Sequence, residues 1–316
     1  MSLLRRRSVF AAKLETTVGT AIALAGADGV FNARDFLITP SIPIERREGQ
    51  GGFNYHKGVP GGMQGTCVIT CDLQYSGTAL PTWATVLLPA CGFVATGTAF
   101  NPVTAGPGTT SEDPRTLTIG QFHDGKLRQL SGAMGNAVFT FPTGMPAFVT
   151  FTFTGKYSIN ETDETLITPT YPTDESLRFA DGSIAWASAN LCTSSATIDL
   201  GNQVIMRECA EAANRTGFKS AIITNRQPLI TADPEAVLVA TQNRDSQWLE
   251  MTTGALAVTL NGAGNSTLVF NAPAAQLENK QQGNRNDMIT DDLTWLATKD
   301  TNPDRELAIT FTHLEP

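Results

Sequence analysis

The sequence predicts a mainly β protein, a β-sandwich with one short flanking helix in each of two domains. Residues 66–75 alternate strictly, because Cys67, Ile69 and Cys71 share one face while polar residues occupy the other. Residues 148–155 alternate in the same way, with an apolar and a threonine-rich face. The chain holds 28 glycines and only 16% charged residues, a composition typical of a globular protein with many turns.

A second observation is an internal repeat. Aligning Leu130 with Leu260 brings together two Gly-Ala-(x)-Gly-Asn strings, each followed by an apolar strand and then by a Thr/Phe strand. The shared order of strand, glycine turn, strand and Thr/Phe strand favours duplication over chance. The repeat and the length of 316 residues predict two tandem domains. The predicted boundaries are an N-terminal arm at 1–34, a first domain at 35–157, a linker at 158–185 and a second domain at 186–316.

The first half begins with an extended arm that needs another surface for order. A strand at 36–44 contains two prolines, which confine it to an edge or a bend. A short helix is predicted at 81–91, capped by Thr78 or a neighbour and stopped by Gly92. Asp124-Gly125 predicts a tight hairpin between strands at 115–122 and 126–130.

The glycine-rich stretch at 45–65 is long for a loop inside a compact domain, and such loops are usually functional or disordered. It lacks the residues of a phosphate-binding loop, so a mobile protein-contact loop is the better interpretation. Its candidate contact residues are Arg46, Arg47, Phe53, Tyr55 and His56.

The second half repeats this plan. A helix is predicted at 234–241, with Asp233 as N-cap and proline at its first position. The segment 274–305 is interpreted as an insertion with helical character at 291–297. Strands are predicted near 196–200, 204–208, 218–225, 248–252, 255–260, 267–271 and 307–312.

No enzyme motif is present. The sequence contains no nucleophile elbow, zinc-protease helix or phosphate-binding loop signature. The five cysteines have no framework spacing and are predicted to be buried thiols, so we expect no disulfide, metal or cofactor. The clusters of acidic residues are better explained as solvated surface than as catalytic pairs.

The net charge of −8 and the pI of about 4.9 argue against a protein that grips nucleic acid. No apolar run is long enough to span a bilayer. The N-terminal apolar run is too short for a signal peptide, so we expect folding in a cytoplasm.

Three stretches of the first half carry a family resemblance. The first is KLETTVGT at 13–20. The second runs from Gly49 through the strand at 66–75 to SGTALPTWATVLLPACGF at 76–93, and the third is RQLSGAMGNAVFTF…MPAFVTFTFTGKY at 128–157. In this order they resemble the major tail tube proteins of long non-contractile-tailed bacteriophages. Pro89, inside the predicted helix, departs from the usual pattern. The second half matches only through the internal repeat.

The resemblance implies a structural virion protein, assembled in the host cytoplasm, whose sheet joins those of its neighbours in an inner β-barrel. Stacked rings would surround a tape measure protein, end at a tail terminator protein and later conduct DNA without binding it specifically. Two domains per chain imply rings of three chains with pseudo-sixfold symmetry. The expected lumen residues are Thr70, Asp72, Gln74, Thr150, Thr152 and Thr154. The resemblance also implies that the contact residues of the loop at 45–65 stack one ring on the next. The alternatives are another tail component, an adhesion module that binds one protein partner, and a hydrolase without a visible site.

Overall fold

The computed structural model describes residues 4–77, 79–157, 161–210, 216–262, 266–301 and 303–313, except for the side chain of Asp181. Strands make up 54% of the structure and helical turns 7%. This proportion confirms the predicted mainly β class. The described strands of a single chain form no closed barrel.

The strands are numbered in chain order. Those of the first half are β1 (Ser8–Leu14), β2 (Ala33–Ser41), β3 (Ile44–Glu45), β4 (Val59–Pro60), β5 (Gln64–Asp72), β6 (Phe93–Thr96), β7 (Ala99–Pro102), β8 (Leu117–His123), β9 (Lys126–Pro142), β10 (Phe148–Tyr157) and β11 (Thr162–Asp163). Those of the second half are β12 (Arg178–Trp186), β13 (Ala189–Asn190), β14 (Ser195–Asp199), β15 (Gln203–Glu208), β16 (Phe218–Asn225), β17 (Leu229–Ala232), β18 (Thr253–Asn261), β19 (Ser266–Arg285), β20 (Met288–Thr298) and β21 (Ala308–His313). The α-helix α1 spans Arg244–Leu249.

The long strand β9 organises the main sheet. One of its edges pairs with β8 along its first half and with β14 along its second half, while its other edge pairs with β10. Strand β10 pairs in turn with β5, and β5 with β2. Strand β14 pairs with β17, which leads through β20 to β19. One ladder of antiparallel strands therefore runs β2-β5-β10-β9-β14-β17-β20-β19 and includes both halves of the chain.

A single apolar core connects the two halves. The rings of Phe139 and Phe270 lie with centroids 4.7 Å apart, and those of Phe141 and Phe270 lie 5.1 Å apart. Trp83, on the helical segment of the first half, packs against Phe311 of β21 at 5.7 Å. These side chains are almost fully buried. The face of β9 that points inward thus packs on strands from the end of the chain, while the division into two domains stays a prediction.

Several predicted elements of the first half are confirmed. Strand β5 buries the predicted apolar face, and β10 does the same with Val149, Phe151 and Phe153. The hairpin turn falls at Asp124-Gly125, where both residues have positive φ. The helix consists of a π-helical turn at Trp83–Leu87 and a 3-10 turn at Leu88–Cys91. It ends at Gly92, which has φ 81°. The proposed cap, Thr78, lies outside the described residues.

The predicted glycine turn at 132–136 is wrong. These residues lie inside the continuous strand β9, where Gly132 has φ 60° and the pairing register shifts on both edges. Glycine supplies a β-bulge that bends the strand instead of a turn that ends it. In the aligned second copy, β18 ends at Asn261, β19 begins at Ser266, and residues 263–265 lie outside the described part.

The helix predicted at 234–241 and the strand predicted at 248–252 are also wrong. Residues 234–236 run beside β20, where Ala236 N donates to Ile289 O at 3.0 Å and Asp291 N donates to Pro234 O at 2.9 Å. The helix is α1 instead, capped by Asn243, whose side chain accepts from Ser246 N at 3.0 Å. Backbone pairing with β20 therefore outweighs the local helix signal at 234.

The helical character predicted at 291–297 is wrong, because this segment lies in β20. Leu293, Trp295 and Ala297 are buried on one face, which is the period of a strand. Strands β19 and β20 form a long hairpin that turns at Asn286-Asp287, both with positive φ. Strand β1 also differs from the prediction, because it pairs the predicted arm with β8 of the same chain. The predicted linker at 158–185 contains β11 and all of β12 except Trp186.

Candidate assembly surfaces

The face of the main sheet opposite the core is rich in threonine. One row across six strands reads Asp72, Phe148, Thr140, Thr197, Thr231 and Thr294, and the neighbouring row contains Thr70 and Thr150. The two hydroxyl oxygens of Thr70 and Thr150 lie 3.1 Å apart, and those of Thr197 and Thr231 lie 2.5 Å apart. Successive side chains of a strand point to opposite faces of the sheet. Because one face is buried in the apolar core, the polar residues that alternate with it form this second surface. We call it the threonine face.

The structure places four of the expected lumen residues together on the threonine face. Thr70 and Thr150 form one cross-strand pair, Thr152 is exposed beside Val68, and Thr154 pairs with Thr66. The end of the face near β2 also exposes two apolar side chains, Leu37 and Val68. The role of this face as the lining of a channel stays a prediction.

The two other expected lumen residues have partners within the chain. Asp72 forms an ion pair with Arg34, whose guanidinium also lies 4.8 Å from the centre of the Phe148 ring. Gln74 follows the end of β5. Its side chain accepts from Asn32 Nδ2 at 2.6 Å and donates to the carbonyl oxygen of Asp174 at 2.6 Å. Gln74 therefore ties two loops together, and the charge of Asp72 is balanced by a cation.

Sequence reasoning missed the part of the threonine face that comes from β14, β17 and β20. Thr197, Thr231 and Thr294 belong to the second half, and the alternating segments around them carry a usable signal. It also missed Arg34, which falls in the segment interpreted as an arm. The pairing of β14 with β9 joins these segments into one surface, and a single sequence does not reveal that pairing.

The glycine-rich stretch forms a hairpin that projects from the sheet between β2 and β5; we call residues 42–63 the projecting hairpin. Its base is the β3–β4 pair, and further along Gly49 N donates to Asn54 O and His56 N donates to Arg47 O, both at 2.9 Å. All five candidate contact residues are exposed, with Phe53 at 109% and Tyr55 at 67% of their reference areas. The structure thus groups the residues of the predicted contact loop, while their role in stacking stays a prediction.

The outer edge of β2 is closed by a side chain of β8. The buried Gln121 accepts from Ile38 N at 2.9 Å, and its amide nitrogen donates to Phe36 O at 3.4 Å. Phe36 N is bonded to the Asp35 carboxylate at 2.9 Å, and Pro40 has no N–H. From Phe36 to Pro40 this edge therefore offers no free donor, although edge strands generally do.

The segment 13–20, one of the three stretches of the resemblance, surrounds a buried carboxylate. Glu15 is 1% exposed and accepts four hydrogen bonds, from the hydroxyls of Thr116 (2.6 Å) and Thr118 (2.9 Å) and from the backbone N–H groups of Gly19 and Gly132 (both 2.7 Å). Gly19 has φ 75°, and a Cβ there would lie 2.2 Å from a backbone oxygen. Glutamate and glycine are both needed for this local structure, which fixes the chain start against the bulge of β9.

The three histidines lie on different elements of the structure. His56, His123 and His313 lie in the projecting hairpin, in β8 and in β21. Among the described residues, no three His, Cys, Asp or Glu side chains are grouped so that they could hold a metal ion. Cys67 is buried, and burial raises the pKa of its thiol to about 12. Within the described residues, no helix is long and apolar enough to cross a membrane.

Comparison with known proteins identifies the family. A family model described as "Phage tail tube protein" matches residues 5–297, nearly the whole chain. No match was found among curated proteins. The family match also covers the second half, where the resemblance had rested on the repeat alone. The chain therefore belongs to the phage tail tube protein family and is a structural component of the virion tail.

Proposed function

We propose that copies of this chain assemble into stacked rings that form the tail tube, and that the threonine face lines its channel. The observation that carries this proposal is the continuity of that face. It crosses eight paired strands from both halves, so each chain contributes one broad wet surface backed by one apolar core. Such alternation suits a barrel wall whose inner side contacts water.

The charge of the threonine face suits the passage of DNA. Affinity for DNA comes largely from cations that neutralise phosphates. The cations near this face have partners within the chain. Arg34 is paired with Asp72, and Arg285, which lines a groove with Thr197 and Thr231, is paired with Asp233 and Glu235. Lys156, which follows Thr154 at the same alternation on β10, donates to Gly19 O. Much of the remaining surface of the threonine face consists of hydroxyl and amide groups. The carboxylate of Asp199 accepts a hydrogen bond from Asn136 at 2.7 Å. A polyanion would therefore pass without a strong binding step.

The repeat supports a ring of three chains with pseudo-sixfold symmetry. In this proposal the tape measure protein fills the channel during assembly in the host cytoplasm, and the tail terminator protein closes one end. The mass of an isolated ring gives the number of chains that it contains. A ring of six full-length chains would contradict it.

The projecting hairpin provides the sharpest test of assembly. Replacing residues 46–58 with Asn-Gly joins Glu45 to Val59 through a two-residue turn and leaves the β3–β4 base intact. We expect a folded variant that forms no tubes in negative-stain images, with Tyr171→Ser as a control that removes an aromatic side chain exposed to 46% elsewhere. Normal tubes from the shortened variant would remove the hairpin from the mechanism. Discrete particles from the unaltered chain at every concentration would instead favour an adhesion module.

A further inference from the structure

The exposed apolar residues of this protein are concentrated in two places. Among the described residues, 18 large hydrophobic side chains are exposed, and 12 of them belong to two surfaces. The first surface is the projecting hairpin, with Ile42, Ile44, Phe53, Tyr55 and Val59. The second surface consists of residues 237–239, Leu249, Met251, Met288 and Ile289. Apolar patches of this kind mark interaction sites on soluble proteins.

The second surface is built around α1, and we call it the α1 platform. Arg244, with a side chain only 3% exposed, donates to Asp291 at 2.7 Å and to the carbonyl oxygen of Glu235 at 3.0 Å. Lys280 contacts Asp291 at 3.5 Å and Asp245 at 2.7 Å. A buried ion pair of this type fixes α1 against the β19–β20 hairpin. The backbone that carries the apolar side chains around α1 is therefore fixed in position, and these side chains are exposed on it.

Backbone and side-chain bonds join the parts of the α1 platform. Ala236 N donates to Ile289 O at 3.0 Å, which places residues 237–239 next to the turn of the β19–β20 hairpin. At the other end, Trp248 Nε1 donates to Glu278 O at 2.8 Å, and the Gln276 amide contacts Met251 Sδ at 3.2 Å. The platform thus forms one surface across α1 and the hairpin beneath it.

The two surfaces are complementary in charge. Residues 233–251 and 278–292, which contain the platform, hold eight acidic and three basic residues, a net charge of −5. The projecting hairpin holds two acidic and three basic residues, a net charge of +1, with Arg46 and Arg47 adjacent. Complementary potentials favour association of two such surfaces and fix their orientation.

We propose that the projecting hairpin of one copy binds the α1 platform of a second copy. The hairpin begins at β2 and β5, and the platform lies on β19 and β20, at the opposite end of the eight-strand ladder. Contacts between two different surfaces of identical chains are head-to-tail, and they generate closed rings or helical filaments. This inference rests on the proposed tube function and assigns the partner surface of the hairpin.

Photo-cross-linking tests the contact directly. A benzophenone amino acid replaces Phe53, which is fully exposed, and isotope-labelled and unlabelled chains are mixed before assembly. We expect cross-links between chains that map to residues 233–251 or 278–292. Cross-links that map elsewhere, or that join residues of one chain only, would overturn the proposal.

Matched surface variants test it energetically. Leu238 and Leu249 are each 79% exposed, so Leu238→Ser with Leu249→Ser leaves the core unchanged. We expect the concentration needed for assembly to rise about tenfold for each leucine, with an unchanged thermal midpoint. Met145→Ser, at a position 61% exposed, is the control and assembles like the unaltered chain.

The outcomes separate this inference from the tube function. If the shortened hairpin abolishes tubes but the leucine variant assembles normally, the hairpin has another partner surface and the tube function survives. If the unaltered chain forms only small oligomers in which Phe53 cross-links to the platform, the contact is correct and the tube function is not.

Discussion

Replacing Glu15 tests whether the buried carboxylate fixes the chain start. In Glu15→Ala the backbone N–H groups of Gly19 and Gly132 lose their acceptor inside the protein. Each buried donor left without a partner costs about 1–3 kcal/mol. The two threonine hydroxyls can rotate, whereas the backbone N–H groups are fixed in direction, so we expect the backbone donors to account for most of the cost. We therefore expect a loss of about 4 kcal/mol in the free energy of unfolding.

Glu15→Gln separates charge from shape. The amide keeps one oxygen acceptor and the volume of the side chain, but its NH₂ group faces donors. We expect a loss of about half that of the alanine variant. Glu164→Ala is the control, because Glu164 is exposed. We expect its free energy of unfolding to differ from that of the unaltered chain by less than about 0.5 kcal/mol.

Urea unfolding of dilute subunits, followed by circular dichroism, measures these differences. A loss of about 4 kcal/mol lowers the urea midpoint by about 1 M or more for a protein of this size. A Glu15→Ala midpoint equal to that of Glu164→Ala would refute the reasoning. It would mean that water or a local rearrangement satisfies both glycine N–H groups.

Three further predictions concern the channel, the thiols and the core. The double variant Thr150→Lys, Thr152→Lys should fold and assemble, because exposed strand positions tolerate lysine. The rate of DNA ejection should fall at low salt and recover as ionic strength rises, because salt screens the new lysines. An ejection rate that does not depend on salt concentration would argue against a channel role. Because burial raises the pKa of Cys67 to about 12, the thiol should stay unreactive towards iodoacetamide at pH 8, while the exposed Cys192 reacts, as mass spectrometry of labelled peptides will show. Phe270→Ala should cost about 3–5 kcal/mol and lower one common unfolding transition, whereas two separate transitions in calorimetry would show that the halves fold independently.

Several elements could be predicted because the residues that specify them are close together in the sequence. Strands β5 and β10 follow from their alternation, and the hairpin at Asp124-Gly125 follows from its turn residues. The same is true of the helical segment that ends at Gly92. In these segments local preference and the final fold agree, so the sequence alone was sufficient.

The wrong helix at 234–241 shows where local signals fail. Asp233 and Pro234 look like a helix start, but the Asp233 carboxylate accepts from Ser194 N and Ser195 N at 2.9 and 3.0 Å. The following residues pair with β20. Partners 38 and more residues away in sequence thus replace the local cap, and no short window contains them.

The segment 291–297 is a different case, because its signal was present. Leu293, Trp295 and Ala297 alternate, as a strand requires, while the two preceding aspartates resemble a helix start. The threonine face, by contrast, was only half predictable. The residues of β5 and β10 were found by alternation, but their continuation through β14 depends on pairing between distant segments.

In the proposed tube assembly, the side chain of Gln121 has a consequence for the rate at which another strand can pair with β2. Any strand that approaches the outer edge of β2 finds the Ile38 N–H and the Phe36 carbonyl already bonded. It can add to the sheet there only after the glutamine has moved away, which gives this route an activation barrier. In the proposed assembly, this barrier would protect concentrated free subunits from unspecific strand pairing at β2. Growth through that edge would be slow in solution and fast only where an existing oligomer has already displaced the glutamine.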